Sequence, residues 1–460
     1  MLPDEVLLDI FDFYRVYSMN SVGYTWAWHN LVHVCRRWRR LIFASPLYLD
    51  LRLVCKSRTP VRKTLDVWPA FPIGIQAHPI HEDEDGVVAV LEHPERVSWI
   101  ELSGLTSFQL ERCAEVMQGL FPLLTFLWLE LNDVIAPVLT DNFLGGSAPH
   151  LRTVLLNGVP FPTLPKLLLS TSGLVDLHLW NIPATGYFSP EVLAICLSTL
   201  TGLGSLSIEF QTPKFPDRTN RHPPPLVRAV LPALTRLHFQ GVSEYLEDLV
   251  ARIDAPQLDH AAITFFNQLI FDIPQLPQFM HRTERLTSPT RAVVAFRPHT
   301  VKISLYSPIS PAKLDLQISC NESDWQISSM EQICIQCSPI LSHVEGLEIR
   351  EGSFLRPEWL HDLDSTQWLE LFDPFAAVQS LHVSEELQPL VAPAFHGLTG
   401  RRAAEMLPAL RTLFLEGYVP VSDAIESFTD SRKLSNRPVA VLRWHRQNFD
   451  VLFGRAMAAS

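Results

Sequence analysis

The sequence predicts an α/β protein in which a small helical unit precedes a solenoid of strand and helix repeats. Two observations support this fold class. Apolar residues recur at helical spacing near the N-terminus, and from residue 47 onward the pattern Leu-x-x-Leu-x-Leu returns along the chain. We therefore divide the 460 residues into a helical unit at residues 1–46, a repeat region at residues 47–450 and a short tail at residues 451–460.

The N-terminal unit is predicted to contain two helices. Apolar residues at i, i+3 and i+4 spacing mark the first, at Val6, Leu7, Ile10, Phe11 and Tyr14. The same spacing marks the second, at Leu31, Val34, Cys35, Trp38, Leu41 and Ile42. We expect a loop from Arg15 to Asn30 between them. A helical cap on a larger domain explains these stripes as well as a docking module does.

The residues of this unit resemble the F-box. The matching positions are Leu2, Pro3, Glu5, Val34, Cys35, Arg36, Trp38, Arg39, Leu41, Ser45, Pro46 and Leu47. In that family the motif docks on a Skp-type adaptor of a cullin–RING ubiquitin ligase, and the residues that follow select the target. The resemblance implies that the adaptor would be bound by Leu2, Pro3, Glu5, Val6, Ile10, Phe11, Val34, Cys35, Trp38 and Leu41.

The repeat pattern has a nearly regular period. Its marker residues are 23 to 31 residues apart, the shortest interval running from Val154 to Leu177 and the longest from Leu206 to Leu237. Helical stretches are predicted between the strands, at residues 108–119, 189–200, 244–253 and 331–337. Such units stack into a parallel sheet with one concave face, packed on its helices. The pattern resembles the irregular leucine-rich repeats that follow an F-box in basidiomycete fungal proteins.

Residues 267–320 break this period. We predict that RAVVAF near Val294 is a repeat strand, that VKISLYS from Val301 is an inserted strand, and that LDLQISC from Leu314 is the next repeat. Residues 306–311 would form the hairpin turn between the last two. This assignment keeps the spacing close to that of the other repeats.

Composition narrows the classes of function. Hydrophobic residues make up 47% of the chain and charged residues 19%, which is typical of an ordered globular protein. The net charge of −12 argues against a broad surface for nucleic acid or anionic membrane. Seven scattered cysteines indicate reduced thiols, and neither a signal peptide nor a membrane-spanning run is apparent. We expect a cytoplasmic or nuclear protein.

No catalytic constellation is found. The chain lacks a Gly-x-Ser-x-Gly elbow and a P-loop. Cys334 and Cys337, with His343 nearby, invite a zinc interpretation, but one cysteine pair lacks the further ligands of a tetrahedral site. The neighbouring Ile333 and Ile335 favour a packed helix instead. We expect no catalytic residue, metal or cofactor.

The remaining candidate site is the concave face of the sheet, where alternate strand residues point away from the helices. The candidate target-binding residues there are Trp99, Phe126, Trp128, Glu130, His178, Trp180, Arg236 and His238. Further members of that face are Glu101, Asp176, Glu348, Arg350, His382, Phe414 and Glu416. Exposed aromatic residues ringed by charges are typical of binding hot spots. Alternatively, loops or the C-terminal tail cover them.

These expectations converge on a non-enzymatic substrate receptor of a Skp–cullin–F-box ubiquitin ligase, with a protein target that the sequence does not name. One alternative is a repeat scaffold without ligase output. A second is an enzyme on an irregular α/β fold, which the missing motifs oppose. Arg236 and Arg350 are too few and too scattered to predict a phosphate site.

Overall fold

The structure is a computed structural model of the full chain. It describes residues 2–19, 27–44, 51–55, 60–68, 70–78, 84–133, 135, 137–213, 227–268, 270–307, 312–320, 323–352, 365–418 and 420–444. The chain divides into two compact units, Met1–Tyr187 and Phe188–Ser460. The predicted tail at residues 451–460 lies outside the described residues.

The N-terminal part of the first unit contains three helices, α1 (Asp4–Met19), α2 (Ala27–Val34) and α3 (Arg36–Ala44). The prediction of a single second helix is wrong, because the helix is interrupted at Cys35, between α2 and α3. There the carbonyl oxygen accepts a hydrogen bond from the Arg39 amide at 3.1 Å, and the sulfur accepts one from the Trp38 amide at 3.5 Å. Cys35 therefore caps a new helix. Because α1 extends past Tyr14, the predicted loop from residue 15 is also too long.

Parallel strands fill the rest of the first unit. They pair in chain order as β1 (Leu51–Val54), β2 (Ile73–Ala77), β3 (Val97–Leu105), β4 (Phe126–Leu131), β5 (Thr153–Asn157) and β6 (Asp176–Ile182). The helices among them are α4 (Val61–Val67), α5 (Glu84–Leu91), α6 (Ser107–Val116) and α7 (Leu164–Leu168). Side chains of β4 and β5 alternate strictly between half-buried and buried positions, as expected for a sheet with one face on its core.

The second unit continues the same alternation of strand and helix. Its strands are β7 (Ser205–Phe210), β8 (Ala229–Val230), β9 (Arg236–Gly241), β10 (Ile253–Asp254), β11 (His260–Phe266), β12 (Arg291–Arg297), β13 (Thr300–Tyr306), β14 (Lys313–Ser319), β15 (Gly346–Glu351), β16 (Ser380–Val383), β17 (Thr412–Glu416) and β18 (Ala440–Trp444). Strands β8 and β10 form a separate small ribbon. The other strands pair in one sheet that is mostly parallel, which confirms the predicted fold class.

The helices of the second unit are α8 (Pro190–Leu197), α9 (Ser243–Val250), α10 (Gln275–Arg282), α11 (Ser323–Gln336), α12 (Ser338–Leu341), α13 (Ser365–Phe372), α14 (Gln388–Val391), α15 (Gly400–Glu405) and α16 (Asp423–Leu434). Short 3₁₀ turns occur at Phe143–Gly146, Ala184–Gly186, Glu284–Leu286, Glu385–Leu387 and Ala392–Phe395. Within the described ranges, no helix combines the length and apolar character that crossing a membrane requires.

The irregular segment of the second unit contains the three predicted strands, but in reversed order. Strand β14 lies beside β11, β12 lies beside β15, and β13 runs antiparallel between β12 and β14. The prediction that β14 is the next repeat after β12 is therefore wrong, because β14 comes before β12 in the order of the sheet. Antiparallel neighbours need only short connections, so two hairpins return the chain from β12 to β14. The antiparallel pairing of β13 and β14 agrees with the predicted hairpin, although residues 308–311 lie outside the described residues.

Candidate functional site

The helices α1 and α3 share an apolar interior. Phe11 of α1 is fully buried, and its ring meets that of Trp38 edge to face at a centroid distance of 4.9 Å. Leu7 and Ile42 are buried as well. Phe11, which the sequence analysis assigned to adaptor binding, therefore lies inside the helical unit and supports its outer surface.

The outer side of α1 carries apolar residues that the helical unit does not cover. Leu2, Val6 and Ile10 follow one another at four-residue spacing, and they are 51%, 39% and 42% exposed. We call these three residues the docking stripe. Side chains one helical turn apart share a face, so Val6 and Ile10 form an apolar strip on α1, and Leu2 lies two residues before the helix begins. Uncovered apolar strips of this kind mark interaction sites.

Arg37 joins α3 to the start of α1. Its guanidinium Nε donates a hydrogen bond to Asp4 Oδ1 at 3.0 Å, and Nη2 donates one to the carbonyl oxygen of Leu2 at 2.6 Å. The link fixes the backbone that carries the docking stripe. Sequence reasoning missed it because the residues are far apart in the chain and no local pattern connects them.

The sheet of the first unit carries an aromatic group on the face opposite its buried leucines. We call Trp99, Phe126, Trp128 and Trp180 the aromatic face. Trp99 on β3 and Phe126 on β4 are register partners. Their rings stack with a centroid distance of 3.5 Å and an interplanar angle of 3°. The Arg52 guanidinium carbon lies 4.4 Å from the Trp99 ring centroid, at cation–π distance. All four aromatic residues are half-buried.

Glu101, two residues along β3, fixes the position of Trp99 through a hydrogen bond. Its carboxylate is buried and accepts hydrogen bonds from Trp99 Nε1 at 3.2 Å and Gln76 Nε2 at 3.3 Å, while His78 Nε2 lies 2.9 Å away. Burial alone would raise the pKa of Glu101. The hydrogen bonds from His78 and Trp99, with the charges of His78 and Arg52, outweigh burial and hold that pKa below its usual range.

The remaining predicted residues of the first unit lie on β4 and β6. His178 and Trp180 have ring centroids 5.4 Å apart. Glu130 accepts a hydrogen bond from Asn157 Nδ2 at 3.0 Å, and Asn157 in turn accepts one from Asn181 at 2.8 Å. These polar links hold the side chains of neighbouring strands in fixed register. The sequence analysis missed Asn157, since a single polar residue in a strand gives no distinctive signal.

Two predicted target-binding residues, Arg236 and His238, belong to the second unit and lie on β9. Arg236 is exposed. His238 is half-buried, and its Nε2 lies 3.2 Å from Glu209 Oε1 on the neighbouring strand β7. The structure thus gives this histidine an acidic partner within its own sheet.

The sheet of the second unit also collects charges that the sequence analysis did not group. Asp315 is buried and lies within ion-pair distance of two lysines, Lys302 Nζ at 2.8 Å and Lys313 Nζ at 2.9 Å. Ser304 Oγ donates a hydrogen bond to the same carboxylate at 2.7 Å. Burial would raise the pKa of Asp315, but these hydrogen bonds and the charge of Lys302 lower it overall.

Glu348 repeats this arrangement with arginines. It is buried, and it accepts hydrogen bonds from Arg291 Nη2 at 2.6 Å and Arg350 Nη1 at 3.5 Å. Register pairs place Asp315, Ser304, Val293 and Glu348 in one row across β14, β13, β12 and β15. Both carboxylates therefore occupy the same face, each with two cations.

Comparison with known proteins adds one decisive match. Residues 1–54 match the F-box-like family model. The chain has an F-box-like domain. No curated protein matches the chain. Among solved structures, the leucine-rich repeat-containing protein LegL7 from Legionella pneumophila is similar at 12% identity with a TM-score of 0.26, over 85% of this chain and 98% of that chain. The family match confirms the predicted F-box resemblance, and the mostly parallel sheet agrees with the predicted strand and helix repeats, while the fungal resemblance stays a prediction.

The F-box-like domain contains all the predicted adaptor-binding residues. Those exposed to solvent are Leu2, Pro3, Glu5, Val6, Ile10, Val34 and Cys35, whereas Trp38 and Leu41 are half-buried and Phe11 is buried. The sequence analysis missed Phe43, which is half exposed at the end of α3. The matched segment extends past residue 46 to residue 54, in β1.

The cysteine pair outside the F-box-like domain has the environment of a packed helix. Cys334 and Cys337 are fully buried at the C-terminal end of α11. Burial, with a smaller effect of the charge of Glu247, raises the pKa of Cys337 to about 12. A thiol that stays protonated is a poor metal ligand. In the part of the chain that the structure describes, no group of three or more His, Cys, Asp or Glu side chains is arranged to hold a metal ion.

Proposed function

We propose that this protein is the substrate receptor of a Skp–cullin–F-box ubiquitin ligase. The F-box-like domain would bind a Skp-type adaptor, and the repeat sheet would bind a target protein. The observation that carries the proposal is the docking stripe, because it leaves three apolar side chains uncovered within the segment that matches the family. The same family match supports a role as a protein-interaction adaptor.

The interior of the F-box-like domain supports docking. The contact between Phe11 and Trp38 holds α1 against α3, and Arg37 fixes the start of α1. The docking stripe is thus presented by a preorganised unit, and a partner that covers it gains hydrophobic free energy without ordering the helix first.

The target side of the proposal rests on the aromatic face. Tryptophan residues on binding surfaces often dominate affinity, and they do so most when their positions are fixed. The Glu101 network and the stack of Trp99 on Phe126 provide this rigidity. Ubiquitin transfer would then follow from proximity, since a held target has a high effective concentration near the conjugating enzyme. We propose no catalytic role for the chain itself, and a cytoplasmic or nuclear location.

Co-expression with a Skp-type adaptor and gel filtration test the proposal. We expect the wild-type chain to form an equimolar complex. The variant V6S/I10S should bind the adaptor at least about tenfold more weakly, because it removes two apolar anchors from the docking stripe. The matched control F108S/I195S changes two exposed apolar residues on the repeat helices α6 and α8 and should bind normally. Trp38 is unsuitable for this test, since its ring packs on Phe11.

Two results would contradict the proposal. A well-folded wild-type chain that forms no complex would reduce the F-box-like domain to a helical cap. Equal losses in both double variants would show that the docking stripe has no special role. A complex that contains adaptor but never cullin, with no target whose lifetime depends on it, would favour the scaffold without ligase output.

A further inference from the structure

The sheet of the second unit gathers positive charge in a chain whose net charge is −12. Six neighbouring strands, in the order β9, β11, β14, β13, β12 and β15, share the face that carries Asp315 and Glu348. Strand alternation and register place six Lys and Arg residues on that face, namely Arg236, Arg291, Arg297, Lys302, Lys313 and Arg350. We call these six cations and the two carboxylates the basic face.

The two carboxylates do not neutralise the cations around them. Asp315 is shared by Lys302 and Lys313, and Glu348 is shared by Arg291 and Arg350, so each cluster keeps a net positive charge. The carboxylate side chains are only 9% and 7% exposed, whereas those of the four cations are 22% to 36% exposed. Lysine has three N–H donors and arginine has five, which is more than one hydrogen bond to a carboxylate uses.

The paired carboxylates also hold the cations in place. A cation that is already fixed by one ion pair loses less conformational entropy when it binds a ligand. The acidic group of the adjacent strand β7, Glu209, is engaged by His238. The basic face therefore presents ordered, partly accessible donors in two clusters on one sheet.

We propose that the basic face binds an extended acidic segment of a protein partner, rich in Asp and Glu. The proposal rests on the target-recruiting role given above to the repeats. The five steps from β9 to β15, at about 4.8 Å each, span about 24 Å, which an extended peptide covers in about seven residues. Carboxylate side chains spaced along such a peptide match cations that are spread over several strands.

The distribution of charge favours an acidic peptide over nucleic acid. Ala262, Val293 and Ala295 lie between the charged positions of the same face, which suits a chain that alternates acidic and small side chains. A polynucleotide has a charge at every residue, so it would meet more repulsion from a molecule with a net charge of −12 than a peptide whose acidic residues alternate with neutral ones.

Fluorescence anisotropy with the full-length chain tests the proposal. The probe is a fluorescein-labelled peptide of alternating Glu and Ser. We expect saturable binding that weakens as salt is added. The variant K313Q/R350Q removes two cations, yet Lys302 still pairs with Asp315 and Arg291 still pairs with Glu348. No buried carboxylate is left alone, and the peptide should bind about fivefold more weakly.

The control R62Q/R401Q changes the net charge equally, at exposed positions of α4 and α15, and should leave peptide binding unchanged. If K313Q/R350Q fails to fold, R236Q/R297Q removes two exposed cations of the basic face and should weaken binding in the same direction. Equal weakening in R62Q/R401Q would overturn the proposal. So would equal affinity for the peptide with Gln in place of Glu, or binding restricted to a phosphoserine peptide or an oligonucleotide.

The same preparations separate this proposal from the proposed function. K313Q/R350Q should form the adaptor complex as the wild-type chain does. If the wild-type chain forms a normal adaptor complex but binds the Glu and Gln peptides equally well, only the proposal for the basic face is contradicted. Absence of the adaptor complex contradicts the ligase receptor, even where the peptide binds.

Discussion

Arg432 of α16 is a buried arginine whose partners are backbone carbonyl groups. Its guanidinium donates hydrogen bonds over 2.9 to 3.4 Å to the carbonyl oxygens of Ala403, Ala404, Met406 and Leu410. The change R432M keeps much of the apolar volume but leaves these acceptors unpaired. We expect a loss of about 2–4 kcal/mol in the free energy of unfolding, measured by urea denaturation. The exposed Arg437 also bonds to carbonyl groups, and R437M should cost less than about 1 kcal/mol. Equal losses would contradict the clamping role of Arg432.

His382 makes the stability of the second unit depend on pH. Burial lowers its pKa from 6.5 to about 4; the charge of Glu348 opposes this shift and that of Arg291 adds to it. The folded protein therefore keeps the imidazole neutral while the unfolded chain takes up a proton. Stability is full above about pH 6.5 and falls as pH drops towards 4, by about 2 kcal/mol after allowance for partial exposure.

The variant H382F isolates this effect. The His382 ring stacks on Phe414 with a centroid distance of 4.2 Å and an interplanar angle of 11°. Phenylalanine can retain this stack, but it cannot titrate. Urea midpoints compared at pH 7 and pH 4.5 should fall less in H382F than in the wild-type chain. An identical fall in both proteins would assign the pH dependence to other groups.

At the scale of single elements, the features that depend on local patterns were predictable. The repeat strands follow from alternate leucines, and α1 follows from its apolar stripe and from Pro3, which directly precedes its first residue. Even the inserted strand β13 follows from its own alternation. The start of α8 is a further example of a local pattern. Ser189 directly precedes Pro190, the first residue of the helix, and its side chain accepts a hydrogen bond from the Val192 amide.

The features that depend on pairing between elements were not predictable. The periodicity of α2 and α3 continues through Cys35, so the break depends on a hydrogen bond that the spacing does not encode. Likewise, local alternation identifies β12 and β14 but does not specify which one meets β11. The order of these strands determines which cations lie together. Lys302 belongs to the antiparallel strand β13 and Arg291 to its neighbour β12, and both join the basic face through this pairing.

Across the whole molecule, net charge conceals local charge. The value of −12 leads one to expect no extended surface for a polyanion, and it gives no sign of six cations on one face. Arg236 and Arg350 look isolated in the sequence because the cations that join them on the basic face come from three other strands, β14, β13 and β12. Folding brings basic residues together on one face although acidic residues outnumber them in the chain, so an acidic protein can still present a basic surface.

The docking stripe and the basic face belong to different compact units of the chain, and neither shares a residue with the other. We therefore expect the two binding events to be thermodynamically independent. Adaptor affinity, measured by isothermal titration calorimetry on the full-length chain, should change less than about twofold when the Glu–Ser peptide is saturating. The variants V6S/I10S and K313Q/R350Q should each impair one event and leave the other at the wild-type level. A change of tenfold or more in adaptor affinity would instead establish a coupling free energy of about 1.4 kcal/mol. By linkage, the peptide would then bind more tightly or more weakly by the same factor once adaptor is bound, and target recruitment would be regulated by assembly of the ligase.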